Sequence, residues 1–130
     1  MKVLFICKGN MVRSQIAEAL YKKYRGGDVL SAGILPQVEQ YNGKKLKDLN
    51  LGVWIQTLKN KEGINISLNI CKQVTEKMVE DADMIIVMAK KEIWPDFLIM
   101  RKDVIIWDDV KDNGDIPKII DQIKARVILL

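Results

Sequence analysis

Residues 2–20 read KVLFICKGNMVRSQIAEAL, and the change of periodicity inside this stretch decides the fold. Residues 2–7, KVLFIC, form a short apolar run rich in strand formers. Residues 14–24, SQIAEALYKKY, place Ile16, Ala19, Leu20 and Lys23 at helical spacing. A strand, a tight turn and a helix therefore follow one another directly, with Cys7 closing the strand and Arg13 and Ser14 opening the helix.

Outward from that unit the alternation continues. Residues 28–32 (DVLSA) read as a second strand, and residues 46–61 carry Leu46, Leu49, Val53, Trp54 and Leu58 in a helical pattern that stops at Gly63. Thr75 is placed to cap a short helix through Glu80. Residues 83–88 (DMIIVM) and 104–107 (VIIW) are apolar on both faces, the mark of strands buried inside a parallel sheet. Asp115, Ile116 and Pro117 open a last helix whose face is Ile119, Ile120, Ile123 and Val127. The expected architecture is α/β: a three-layer sandwich with a four-stranded parallel sheet, in one domain over residues 1–130. Ligands of such sheets bind beyond the carboxyl ends of the strands, here Cys7, Ala32, Met88 and Trp107.

Composition narrows the chemistry. Hydrophobic residues make up 48% and charged residues 29% of 130, which fits one folded domain and excludes a disordered or repetitive chain. The net charge is +4, but 21 Lys and Arg are scattered among 17 acids, so the reading predicts no nucleic-acid partner and a mild attraction for anionic substrates. MKVLFIC turns polar at Lys8, too soon for a signal peptide or membrane span, so a cytoplasmic protein without a membrane partner is expected. Two cysteines, Cys7 and Cys71, are too few for a disulfide framework. With no histidine, neither a zinc site nor the usual general base is expected, and a nucleophile must be activated by other means. A cysteine suits that requirement.

Five residues separate Cys7 from Arg13. Backbone N–H groups of the loop from Lys8 through Gly9, Asn10, Met11 and Val12 to Arg13 and Ser14, with the positive end of the helix dipole, make a nest for a tetrahedral oxyanion. Arg13 adds a planar fork able to grip two phosphate oxygens. The same electropositive surroundings favour a Cys7 thiolate near neutral pH. Gly9 and Asn10 tolerate the positive φ that a tight anion-cradling loop needs. Ser14 is placed to donate a hydrogen bond to the thiolate.

CKGNMVRS (7–14) resembles the signature C-x-G-N-x-C-R-S of the low-molecular-weight protein tyrosine phosphatases and their arsenate reductase relatives. The likeness continues through SQIAEAL, SAG (31–33), EGINIS (62–67), KQVTEKM (72–78), DADMIIVM (81–88) and WDD (107–109), and is weakest over residues 36–50. The resemblance implies a phosphotyrosine phosphatase I-like sheet of strand order 2-1-3-4 and a cofactor-free thiol phosphatase working through phosphocysteine, as a monomer or weak dimer. Its substrate would be a phosphotyrosine protein or a small phosphomonoester. It implies Cys7 as nucleophile, Arg13 as phosphate clamp, and Asn10, Ser14 and Ser31 as a hydrogen-bonded support of the loop.

The sequence also departs from the family pattern in several places. Val12 stands where many members carry a second, protective cysteine, so that redox safeguard is absent. Met88 and Ala89 stand where reductases of this fold place relay cysteines, which disfavours arsenate reduction by that relay. Cys71 lies where relatives usually have Ser or Ala and reads as structural. Asn69 replaces a histidine that supports the loop asparagine. The general acid of a late Asp-Pro pair falls on Asp112, in VKDNG, or on Asp109, if Asp108 and Asp109 match an Asp-Asp-Pro; Asp112 is preferred and Asp115 is left to helix capping. The family's late tyrosine pair is missing, leaving Tyr41, Trp54 and Trp94 as candidates for an aromatic wall and Lys44, Lys45 and Lys47 as candidates for reading acidic flanks. Two rival readings remain: an arsenate reductase using an external thiol, and a phosphate-binding signalling module with little turnover.

Overall fold

The computed structural model describes residues 1–35 and 40–130; part of the weakest-matching stretch, residues 36–39, lies outside them. Strands β1 (Lys2–Cys7), β2 (Asp28–Gly33), β3 (Met84–Val87) and β4 (Ile105–Ile106) form one sheet in the order β2-β1-β3-β4. All pairings are parallel, with Cys7 opposite Gly33 and Ile6 opposite Val87. The expected α/β fold and strand order are both present.

The pleat sorts β1 into two cores, because successive side chains point to opposite faces. Val3, Phe5 and Cys7 pack with Ile16 and Leu20 of α1 (Arg13–Tyr24), Leu58 of α2 (Gly52–Glu62), and Ile120, Ile123 and Val127 of the last helix. Leu4 and Ile6 face the other way, onto Val79 of α3 (Glu76–Asp81) and Leu98 of α4 (Asp96–Ile99). The last helix, α5 (Ile116–Ile128), presents its predicted apolar stripe to α1 and the sheet.

Capping follows the chemistry of the sequence. The Thr75 side chain accepts from the Met78 N–H, Asp115 accepts from the Lys118 N–H, and Gly63 ends α2 at φ +68°. One expected element is different: the helix anticipated over residues 46–61 is divided. Leu46–Asp48 forms a single 3-10 turn, Asn50 adopts φ +58°, and the helix begins only at Gly52. The cause is tertiary. The N–H groups of Leu46 and Lys47 donate to the carbonyls of Asn69 and Ser67, and Cys71 N–H donates to the Lys44 carbonyl. Those bonds hold residues 44–47 against the 67–71 segment and out of helical register. β4 is also shorter than expected, and as an edge strand it leaves Ile106 48% exposed although VIIW reads as fully buried.

Candidate active site

Cys7 ends β1 and Arg13 begins α1, so the intervening loop must turn within five residues. It does so through Asn10, at φ +53°, a left-handed conformation that asparagine tolerates better than most residues. α1 has no side-chain N-cap and no acid in its first turn, which leaves its free N–H groups and dipole uncompensated for an anion. At the other end the loop is tied to the strand beside it, because Ile34 and Leu35 both donate from their N–H groups to the Lys8 carbonyl.

Behind the loop lies a buried polar lattice centred on Asn10. Its Nδ2 donates to Ser14 Oγ at 2.8 Å and Ser31 Oγ at 3.0 Å, and its Oδ1 accepts from the Lys72 N–H at 2.7 Å and Gln15 Nε2 at 3.1 Å. Ser14 Oγ lies 3.0 Å from Cys7 Sγ, and the Asn10 N–H donates to the same sulfur at 3.2 Å. Ser14 Oγ already accepts from Asn10, so its own proton is free for the sulfur. Asn10, Ser14 and Ser31 are thus joined by hydrogen bonds beneath the loop. Asn69 makes no direct contact of this kind: its Nδ2 reaches Gln15 Oε1 at 3.3 Å, and Gln15 passes the support on. Gln15 was missing from the sequence-derived site. Its signal was position, one residue past Ser14 on a buried helix turn, where an uncharged polar side chain needs partners.

Arg13 is 9% exposed, and its Nη1 donates to the carbonyls of Met88 and Val110. Those bonds occupy one arm of the guanidinium and fix its plane, leaving Nε and Nη2 for a ligand. Nη2 lies 3.7 Å from Asp112 Oδ2. Arg13 and Asp112 line one cleft of about 360 Å³ with Lys8, Leu35, Met88, Ala89, Lys90, Ile93, Asp108, Val110 and Lys111. Asp109 is not among them. Both its oxygens are held by the Arg126 guanidinium, which keeps its carboxyl below the ordinary aspartate range, the wrong direction for a group that must carry a proton. The geometry thus separates the two candidate acids and brings only Asp112 to the cleft.

The aromatic candidates lie elsewhere. Trp94 is buried with its indole N–H on the Ala89 carbonyl, Trp54 packs against the core, and Tyr41 borders a separate depression with Met11, Lys44 and Leu49. Cys71 is buried, its Sγ 3.2 Å from the Gly9 carbonyl, and burial pushes its thiol up to about 11. Among the described residues no group of three His, Cys, Asp or Glu side chains forms a metal-binding cluster, and no helix is long and apolar enough to cross a membrane.

A parallel sheet of order β2-β1-β3-β4, whose first strand runs through the Cys7–Arg13 loop into a helix, defines an α/β fold with a cleft at the carboxyl ends of its strands. Residues 2–106 match the family model "Low molecular weight phosphotyrosine protein phosphatase", and the chain belongs to that family. It is 29% identical over 100 residues to the low molecular weight protein-tyrosine-phosphatase YfkJ of Bacillus subtilis, covering 70% of this chain and 58% of that protein. It is 32% identical over 90 residues to an arsenate reductase of Halalkalibacterium halodurans, covering 67% of this chain and 55% of the relative. The chain thus spans less than two thirds of the length of either curated relative. Among solved structures, a YwlE mutant from Bacillus subtilis superposes with TM-score 0.75 at 26% identity over 98% of this chain and 94% of that one.

Proposed function

We propose that this chain hydrolyses phosphotyrosine and aryl phosphates through a phosphocysteine intermediate. The observation that carries the reading is one loop that begins at Cys7, its Sγ hydrogen-bonded by Ser14 and the Asn10 amide, and ends at Arg13, which lines a cleft with Lys8 and Asp112. In the first step the Cys7 thiolate attacks phosphorus in line, an S–P bond forms, and the P–O bond to the leaving group breaks as Asp112 protonates that oxygen. Loop amides and the free arm of Arg13 hold the equatorial oxygens, where charge is spread in the transition state. In the second step Asp112, now a carboxylate, takes a proton from water, and the oxygen of that water displaces the cysteine. Ser14, donating to the sulfur, stabilises the departing thiolate.

The arsenate reductase relative supports a second reading, in which Cys7 attacks arsenate and an external thiol resolves the adduct. Met88 and Ala89 at the end of β3 offer no relay thiol, so that reaction depends on added thiol.

Steady-state turnover of para-nitrophenyl phosphate tests the first reading, with arsenate plus thiol as the parallel assay. Cys7→Ser is expected to abolish turnover, and Asp112→Asn to lower kcat by about 10²–10⁴, the usual weight of general acid catalysis. Asp109→Asn is expected to stay within about threefold of the parent, since its loss affects an exposed ion pair. Activity surviving in Cys7→Ser would sink the mechanism; the reverse ranking of the two aspartates would reassign the acid.

A further inference from the structure

The cleft that holds Arg13 and Asp112 has an unusual balance of walls and charges. Its apolar lining is aliphatic, from Leu35, Met88, Ala89, Ile93 and Val110, and contains no aromatic ring among the described residues. Such walls accept a phenyl ring, a sugar or an alkyl chain with little discrimination, because burial of apolar area is non-directional. Four cationic side chains line the same space, Lys8, Arg13, Lys90 and Lys111, against the carboxylates of Asp108 and Asp112. Arg13 is committed to the scissile phosphate by its position at the loop. The three lysines are exposed, and none is within ion-pair distance of a carboxylate among the described residues. They come from three different loops, those after β1, β3 and β4, which the sheet order brings to one rim.

Unpaired like charges around a cleft of about 360 Å³ repel one another and are relieved by an anion placed among them. One phosphate monoester dianion is already answered by Arg13, the loop amides and the helix dipole. We infer that the cleft selects phosphomonoesters carrying a second anionic group beside the scissile phosphate, held at the rim by Lys8, Lys90 and Lys111. This rests on the phosphatase reading above and specifies its substrate class. The second anion comes either from an acidic residue flanking a phosphotyrosine or from another phosphate on a small molecule, and both present the same chemistry to the lysines. Lys44, Lys45 and Lys47 do not line this cleft, and Lys44 borders the separate depression beside Tyr41.

Two matched substrate pairs test the assignment: phosphotyrosine peptides with Glu or Gln at the flanking positions, and a hexose bisphosphate against the corresponding hexose monophosphate. In at least one pair the more anionic member should show kcat/KM about tenfold higher at low salt, as expected from two or three exposed ion pairs. The pair that responds identifies the source of the anion. That ratio should collapse between about 0.01 M and about 1 M salt, as the screening length falls from about 30 Å to about 3 Å. A Lys90→Gln/Lys111→Gln double variant, checked for an unchanged melting curve, should cut the ratio to about threefold or less. Ratios near unity in both pairs, or a ratio indifferent to the double variant, overturn the inference. Para-nitrophenyl phosphate serves as the separate control on phosphatase chemistry, and binding of both pairs to Cys7→Ser by calorimetry repeats the comparison without turnover. Loss of turnover with a retained binding preference would therefore fault the chemistry and support the charge selection.

Discussion

Asn10 shows how much one side chain can organise. Fully buried and at φ +53°, it binds two serines, a glutamine and a backbone amide, and through Ser14 it sets the proton that faces Cys7. Cys71, packed under the same loop, is the opposite kind of cysteine. Burial is the largest cause of its raised pKa, about 11, with the nearby Cys7 adding to it, so it stays a thiol where an exposed cysteine would ionise. Native protein treated with iodoacetamide near neutral pH should take one alkyl group, on Cys7, with vanadate protecting it; mass-spectrometric mapping of the adduct decides. A thiol whose folded pKa is raised adds stability below its unfolded value of about 8.5, and that contribution is lost as pH climbs through the folded value. Melting temperature should therefore fall more between about pH 8.5 and about pH 11 for the parent than for Cys71→Ala.

At the scale of elements, the divided 46–61 segment and the pair Asp109 and Asp112 teach the same lesson. Periodicity in residues 46–61 is real, and the helix it predicts does form from Gly52 onward. What periodicity does not contain is the 67–71 segment, whose carbonyls draw Leu46 and Lys47 out of register. Asn50 then makes the turn at φ +58°. Asn50→Ala should cost about 1 kcal/mol, the usual penalty for an alanine in left-handed backbone, whereas Asn50→Gly should be close to neutral. Urea unfolding of the two variants measures the difference, and equal stabilities would remove the turn from the account. Asp109 and Asp112 lie three residues apart and look alike in sequence. Arg126, seventeen residues downstream of Asp109 on α5, holds one of them in an ion pair outside the cleft that the other lines. No local pattern could report that partner.

For the whole molecule, the sheet order β2-β1-β3-β4 puts β1 in the interior, so the loop after Cys7 meets the ends of β3 and β4. α5 completes the arrangement by covering α1 with Ile119, Ile120, Ile123 and Val127. Ile120 is fully buried there, and Ile120→Ala should lower unfolding free energy by about 2–5 kcal/mol, transfer and cavity terms together. Chemical denaturation followed by circular dichroism checks this; a loss below about 1 kcal/mol would mean that the helix packs loosely.

The residues 2–20 determined by themselves the strand, the turn, the helix and the placing of Cys7 and Arg13 at the two ends of one loop. Those features depend on contacts between neighbours in the chain, and chain neighbours are what a sequence displays. The division at Asn50, the hydrogen bonds that tie Asn69 through Gln15 to Asn10, the ion pair that keeps Asp109 out of the cleft lined by Asp112, and the gathering of Lys8, Lys90 and Lys111 were decided only by tertiary structure. Each depends on partners tens of residues away, brought together by parallel crossovers that the intervening helices make possible, and a side chain's charge or hydrogen-bond state is settled by whatever those crossovers place beside it.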